Sequence, residues 1–189
     1  MKKNVLKIAI VALFCFGFNL ITNAQTIFSE GDRVVNLGIG LGDYLGGAGY
    51  SSSIPISGSF EYGIKDNLFD EKSSLGVGGY LAYASNKYTY LDNTTFGGWK
   101  YSHFVLGARG LLHYQFVDKL DTYAGLMLGY DVVSSSAYGN LPSKTSATGS
   151  GFGFSLFVGG RYYFTENIAA FAEIGYGIAA LQLGVAFKF

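Results

Sequence analysis

Cysteine and proline are nearly absent from this sequence. Its 189 residues hold one Cys and two Pro. The single cysteine, Cys15, stands inside an apolar run near the N-terminus. With that run removed no thiol remains, which excludes a disulfide framework and cysteine-based metal or redox chemistry. Charge is scarce too, at 14% of residues, with thirteen basic and thirteen acidic side chains. A chain without a basic excess offers no electrostatic footprint for nucleic acid, so no such partner is expected. After Ile21 no apolar run approaches the roughly 20 residues of a membrane-spanning helix.

The first residues read as a leader. Lys2, Lys3 and Lys7 precede an apolar stretch from Ile8 to Ile21, and Thr22-Asn23-Ala24 gives small residues ahead of Gln25. A basic start, a short apolar core and an A-x-A-like end make a secretory signal peptide. Phe14 before Cys15 is too large for a lipoprotein site. We therefore expect a signal peptide over 1–24, a short periplasmic lead over 25–31 and one domain over 32–189. Loss of three lysines leaves ten basic side chains against thirteen acidic ones.

What is abundant is glycine and aromatics: 28 Gly, 16 Phe and 15 Tyr. Aromatic residues in period-two alternation point to β structure. Eight segments alternate: Arg33–Gly42, Pro55–Ile64, Leu75–Ser85, Trp99–Phe116, Thr122–Val133, Gly151–Phe164, Ile168–Tyr176 and Leu181–Phe189. The connections Lys65–Ser74, Val117–Asp121 and Thr165–Asn167 are mostly short. Those over Asp43–Ile54, Asn86–Gly98 and Ser134–Ser150 are longer, and a tight turn falls at Gly177–Ala180. An even strand number with short turns at one end and long loops at the other predicts an all-β fold. It is an eight-stranded antiparallel up-and-down transmembrane β-barrel, preceded by a cleaved signal peptide.

The aromatics are sorted by strand. Each even-numbered segment ends on two aromatics of its apolar parity: Phe60 and Tyr62, Tyr114 and Phe116, Tyr162 and Phe164, Phe187 and Phe189. Three odd-numbered segments carry Tyr83, Tyr130 and Tyr176 near the far end. Two such belts suit the two membrane interfaces. The final strand runs to Phe189, whose apolar face would meet lipid while its backbone pairs with the first strand.

On these residues the chain resembles the small eight-stranded outer-membrane barrels of the OmpA, OmpX and OmpW type. The tail Gln182-Leu-Gly184-Val-Ala-Phe187-Lys-Phe189 is similar to their C-terminal sorting signal, and the opening Phe28-Ser-Glu-Gly31 to Gly40 is similar in style to porin-family barrels of Bacteroidota. The resemblance implies an integral protein of the Gram-negative outer membrane, surrounded by lipid and lipopolysaccharide. It also implies handling by the barrel-assembly machinery through the C-terminal strand.

The inward parity is rich in glycine and carries Glu61, Arg109, Arg161 and Glu173. An eight-stranded barrel is just wide enough for side chains to fill. We expect an Arg/Glu network in the lower lumen with Lys188 and Tyr163 nearby, acting as a plug or, alternatively, as the gate of a narrow channel for small or apolar solutes. His103 and His113 share the inward parity but stand ten residues, about 33 Å, apart, too far for one metal ion. No metal site and no cofactor is expected. Ser102-His103 near Asp131 is the one candidate for nucleophilic hydrolysis in a lipid-modifying enzyme, but serines are common in these loops and chance proximity is the better explanation. The triplets Gly38-x-Gly40-x-Gly42 and Gly149-x-Gly151-x-Gly153 lack the strand-to-helix setting of phosphate loops. The expected role is therefore non-enzymatic, membrane-structural or surface contact through the Tyr-, Ser- and Gly-rich loops, where an extracellular ligand would bind.

Overall fold

A computed structural model describes residues 27–43, 50–91, 96–139, 148–176 and 179–189. The expected signal peptide lies outside the described residues, as do the centres of the three long connections. The strands are β1 (Arg33–Asp43), β2 (Tyr50–Ser52), β3 (Ile56–Asp66), β4 (Ser73–Leu91), β5 (Phe96–Val117), β6 (Leu120–Gly139), β7 (Thr148–Tyr163), β8 (Ile168–Gly175) and β9 (Ala179–Lys188). All pairings are antiparallel. Eight strands form a ring in the order β4-β3-β1-β9-β8-β7-β6-β5, and β5 closes onto β4. β2 pairs with β4 from Tyr50↔Tyr88 to Ser52↔Asn86, just beyond the Ile56↔Tyr83 end of β3. It therefore continues the line of β3 rather than adding a ninth stave.

The expected connections prove shorter than the sequence suggests. Asn86–Gly98 is largely strand, with β4 and β5 paired out to Leu91↔Phe96. Ser134–Ser150 shrinks in the same way, since β6 runs to Gly139 and β7 starts at Thr148. The apolar alternation stops where these strands leave the lipid, but Tyr and Thr keep the backbone extended. β5, at 22 residues, is about twice the 9–11 residues that cross a bilayer. At the opposite end the connections are tight. Asp118 and Lys119 alone make the β5–β6 turn, with Lys119 at φ 63°.

Polarity is inverted relative to a water-soluble domain. Leu128, Phe154, Leu156 and Ile174 are each at least 60% exposed, whereas Glu61, Arg161 and Glu173 are at most 4% exposed. β8 shows the rule in miniature: Ala169, Phe171 and Glu173 are buried, while Ala172 and Ile174 face out. An apolar band of this size demands hydrocarbon around it. A closed ring leaves no backbone edge unpaired there. The chain is thus a membrane-spanning barrel of the outer-membrane type, with β1 and β3 to β9 as its wall.

Ring closure runs to the last residue. Phe189 N donates to Arg33 O at 3.0 Å, and Arg33 N donates to Phe189 O at 3.3 Å. The aromatics fall on the outer face. Phe60, Tyr62, Phe116, Tyr162, Phe164, Phe187 and Phe189 are exposed and Tyr114 is half-buried, as are Tyr83, Tyr130 and Tyr176 exposed toward the other end. Neighbouring rings touch, with centroids 4.7 Å apart for Tyr114 and Phe116 and 5.5 Å for Tyr162 and Phe164.

Inward glycines make room for inward rings. Phe171 lies over the facing pair Gly38 and Gly184. Phe157 covers Gly125, and Tyr123 covers Gly159. A Cβ on Gly184 would stand 2.6 Å from the Phe171 ring and inside the Leu37 carbonyl oxygen. Because the Leu37 oxygen belongs to backbone, no rotamer change relieves the clash. Gly184→Ala is expected to strain the β1–β9 seam. A cold detergent gel, in which a folded barrel migrates apart from the boiled chain, should show a smaller folded fraction. Wild-type folding yield in that variant would show that the seam tolerates a side chain.

Candidate functional site

The inward charges gather in the half of the lumen nearer the turns. Arg161, fully buried on β7, sends three nitrogens to three partners on different strands. Its Nη2 donates to Glu61 Oε2, its Nη1 to Asp121 Oδ2 at 3.0 Å, and its Nε to Asn36 Oδ1 at 3.1 Å. Asn36 passes its own Nδ2 hydrogen to Ser59 Oγ at 2.8 Å. Beside Arg161, His113 bridges the same two carboxylates. Its Nδ1 lies 2.7 Å from Asp121 Oδ1, and its Nε2 faces Glu61 Oε1. Two ring nitrogens facing two carboxylates are both satisfied as donors when the imidazole carries its second proton. In that form two cations balance two anions. A buried charge cluster tolerates burial only when it is internally balanced and hydrogen-bonded.

A second pair sits alongside. Arg109 Nη2 donates to Glu173 Oε1 at 2.7 Å, and Tyr123 OH donates to the same oxygen at 2.9 Å. The Tyr123 ring lies 4.6 Å from the Arg161 guanidinium carbon, so Tyr123 joins the two groups. Arg109 also stacks on Phe157 at 3.9 Å. Beyond this pair, Gln182 Oε1 accepts from Ser57 Oγ at 2.7 Å and Tyr80 OH at 3.1 Å.

The lead segment closes the turn end. Phe28, 2% exposed, stacks on His113 with centroids 4.1 Å apart. Its carbonyl accepts from Ser74 Oγ at 2.9 Å. On either side, Ile27 N donates to Gln115 Oε1 and Lys188 Nζ donates to Ile27 O, both at 2.7 Å. Gly31 N donates to Gly63 O at 2.9 Å. Outside this closure a recess of about 890 Å³ opens between Gln115, Lys119, Glu166 and Lys188.

Of the four expected network charges, the structure pairs Glu61 with Arg161 and Arg109 with Glu173. It does not pair Arg161 with Glu173, although their strands are neighbours. The register sets Arg161 opposite Phe171 and Glu173 opposite Gly159, so Phe171 occupies the place beside Arg161. Tyr163 is buried near the mouth, and the Lys188 ammonium lies 5.6 Å from its ring centroid. Asn36, His113, Asp121 and Phe28 are members that the sequence reading did not assign. Asp121 ends the expected connection Val117–Asp121 but is the second residue of β6, and the parity of Tyr123 and Gly125 extended by one step turns it inward.

The candidate hydrolytic residues separate. His103 Nδ1 lies 2.9 Å from Asp131 Oδ2 on the inner face. Ser102, next to it on β5, takes the opposite parity, and its Oγ lies 3.4 Å from Tyr83 OH. Strand alternation turns a serine away from a histidine that follows it directly. For the sorting signal, Gln182 points into the lumen, Gly184 faces Gly38 across the seam, and Phe187 and Phe189 are on the outer face.

No family model and no curated protein matches this chain. Several solved structures do. The chain is similar to Ail, the attachment invasion locus protein of Yersinia pestis, at 15% identity and a TM-score of 0.47, covering 85% of this chain and 99% of that one. It is similar to the N-terminal β-barrel domain of Pseudomonas aeruginosa OprF at 17% identity and a TM-score of 0.46, covering 86% and 100%. It is also similar to the outer membrane protein OprG from Pseudomonas aeruginosa at 12% identity and a TM-score of 0.47, covering 88% and 99%.

Proposed function

We propose that this protein is a non-enzymatic outer-membrane barrel with a sealed lumen, which serves as a membrane anchor for the extended hairpins at its far end. The observation that carries this reading is the continuous fill of the lumen. Phe28 caps the turn end, the Arg161 cluster lies above it, and Arg109, Phe157 and Phe171 lie above that. All are buried to 8% exposure or less. An ion entering from the turn end would have to displace mutually satisfied charges from a low-dielectric interior. The short turns face the periplasm in barrels of this type, which directs β4, β5 and β6 outward. The elongated hairpins supply a scaffold for contact, and loop tips on a rigid scaffold are where binding residues concentrate. In this reading the C-terminal strand with Gln182, Gly184, Phe187 and Phe189 presents the assembly signal.

Single-channel recording tests the sealed lumen. Residues 25–189, refolded and verified by their gel shift, should give no stable conductance steps in a planar bilayer. Reproducible steps would replace this reading with the narrow-channel one.

A further inference from the structure

We propose that the outer face of β4, β5 and β6, just above the lipid-facing band, binds the phosphate groups of an outer-leaflet phosphoglycolipid of the lipid A type. The proposal rests on the outer-membrane reading and adds the headgroup chemistry and the residues that meet it.

The register lays out three rows on one face. Tyr83, exposed at the upper edge of the aromatic belt, marks the first. One step further, Ser102 and Ser134 stand opposite one another and carry the accessible hydroxyls, while Ser85, facing Ser102 from β4, is buried. Another step further, Lys87 stands directly opposite Lys100. Each step is two residues, about 7 Å, so the lysines lie about 13 Å beyond Tyr83 along the strand. That distance carries them through the headgroup layer, which begins where the hydrocarbon ends. The face thus passes from apolar, to hydroxyl, to cationic in the order a phosphosugar lipid presents its own groups: acyl chain, sugar, phosphate.

The lysine pair has no internal explanation. Like charges directly opposite in an antiparallel pair are destabilising. Among the described residues no carboxylate lies within salt-bridge distance of either lysine. Lys87 is exposed and Lys100 half-buried, so both are accessible from the lipid side. Asp131, the carboxylate near this level, has inward parity and is held by His103. An external anion removes the repulsion, and two ammonium groups with hydroxyl donors below them suit a phosphate monoester. Placement against the lipid edge selects a membrane lipid over a dissolved anion.

Native mass spectrometry of the folded protein released from micelles tests this. The probes are bisphosphorylated lipid A, the same lipid with both phosphates removed, and inorganic phosphate. Wild type should retain the phosphorylated lipid in preference to the dephosphorylated one. The double variant K87A/K100A should retain the phosphorylated form about 30-fold more weakly, at about fivefold per lysine. K87R/K100R should keep wild-type retention. The single variants K87Q and K100Q each remove one charge and should fall between, so the result does not depend on the double variant folding. Retention unchanged in K87A/K100A, equal retention of the dephosphorylated lipid, or full displacement by millimolar inorganic phosphate would each overturn the proposal. An open lumen in the bilayer experiment would leave all these outcomes unaltered, so the two readings fail separately.

Discussion

Arg161→Ala should lower the urea midpoint of the barrel more than any other single truncation in the lumen. The substitution removes three hydrogen-bonded contacts at once and leaves Glu61 and Asp121 buried with only His113 between them. Breaking a buried ion pair from one side costs about 3–5 kcal/mol, because the remaining charge loses its partner but not its burial. Replacing the charges together should cost far less. The triple exchange Arg161→Met, Glu61→Gln and Asp121→Asn leaves no uncompensated charge, so its midpoint should lie well above that of Arg161→Ala. Unfolding in lipid vesicles can be followed by the fluorescence of Trp99, the single tryptophan. If Arg161→Ala unfolds with the wild-type midpoint, the cluster is a bystander and the lumen owes its order to the rings around it. If the triple variant is as unstable as the single one, specific hydrogen-bond geometry rather than charge balance holds the cluster.

The parity of each strand was legible in the sequence, because a one-residue slip would move every apolar side chain from lipid to lumen. Leu37, Ile39 and Leu41 could take only one face. That constraint also placed Glu61, Arg109, Arg161 and Glu173 inside. What parity leaves open is partner choice. Inward residues meet across the lumen, between strands far apart in sequence, and the pairing depends on stagger around the whole ring. Arg161 accordingly finds Glu61, a hundred residues away, rather than the nearer Glu173. Strand length beyond the lipid was equally hidden. Lys87, Thr89 and Lys100 carry no apolar alternation, yet their backbones pair because the hairpin below fixes the register. The hydroxyl and lysine rows become visible only once that register is known. Phe28 shows a third kind of opacity. One phenylalanine before Ser29 and Glu30 has no period, and its burial follows from a space against the His113 ring that exists only after the barrel closes.

Phe28→Ala should change the chemistry of His113 as well as the stability of the fold. Truncating a buried phenylalanine costs about 3–5 kcal/mol where the site cannot collapse. Collapse is restricted here, because the walls are strands fixed by ladder hydrogen bonds and the floor is the charge cluster. The loss also uncovers the imidazole that the ring stacks on. The chain has two histidines, so acylation by diethyl pyrocarbonate reports on each by counting. In wild type His103, half-buried and nearer the long hairpins, should be modified first, while His113, 2% exposed behind Phe28, should resist. In Phe28→Ala the second modification should become detectable, though slower than the first, because acylation also needs a ring nitrogen released from Glu61 or Asp121. Phe28→Leu, which keeps apolar volume, should restore most of the protection. Equal protection of His113 in Phe28→Ala would mean that the ring is not what shields it, and that Glu61 and Asp121 holding both nitrogens, or Gln115, Lys188 and the backbone of Ile27 closing the mouth, suffice. Modification of His113 in wild type would mean that the lead segment leaves the mouth on the timescale of the reagent. The lead segment would then release its hydrogen bonds to Ser74, Gln115 and Lys188 together with the aromatic contact.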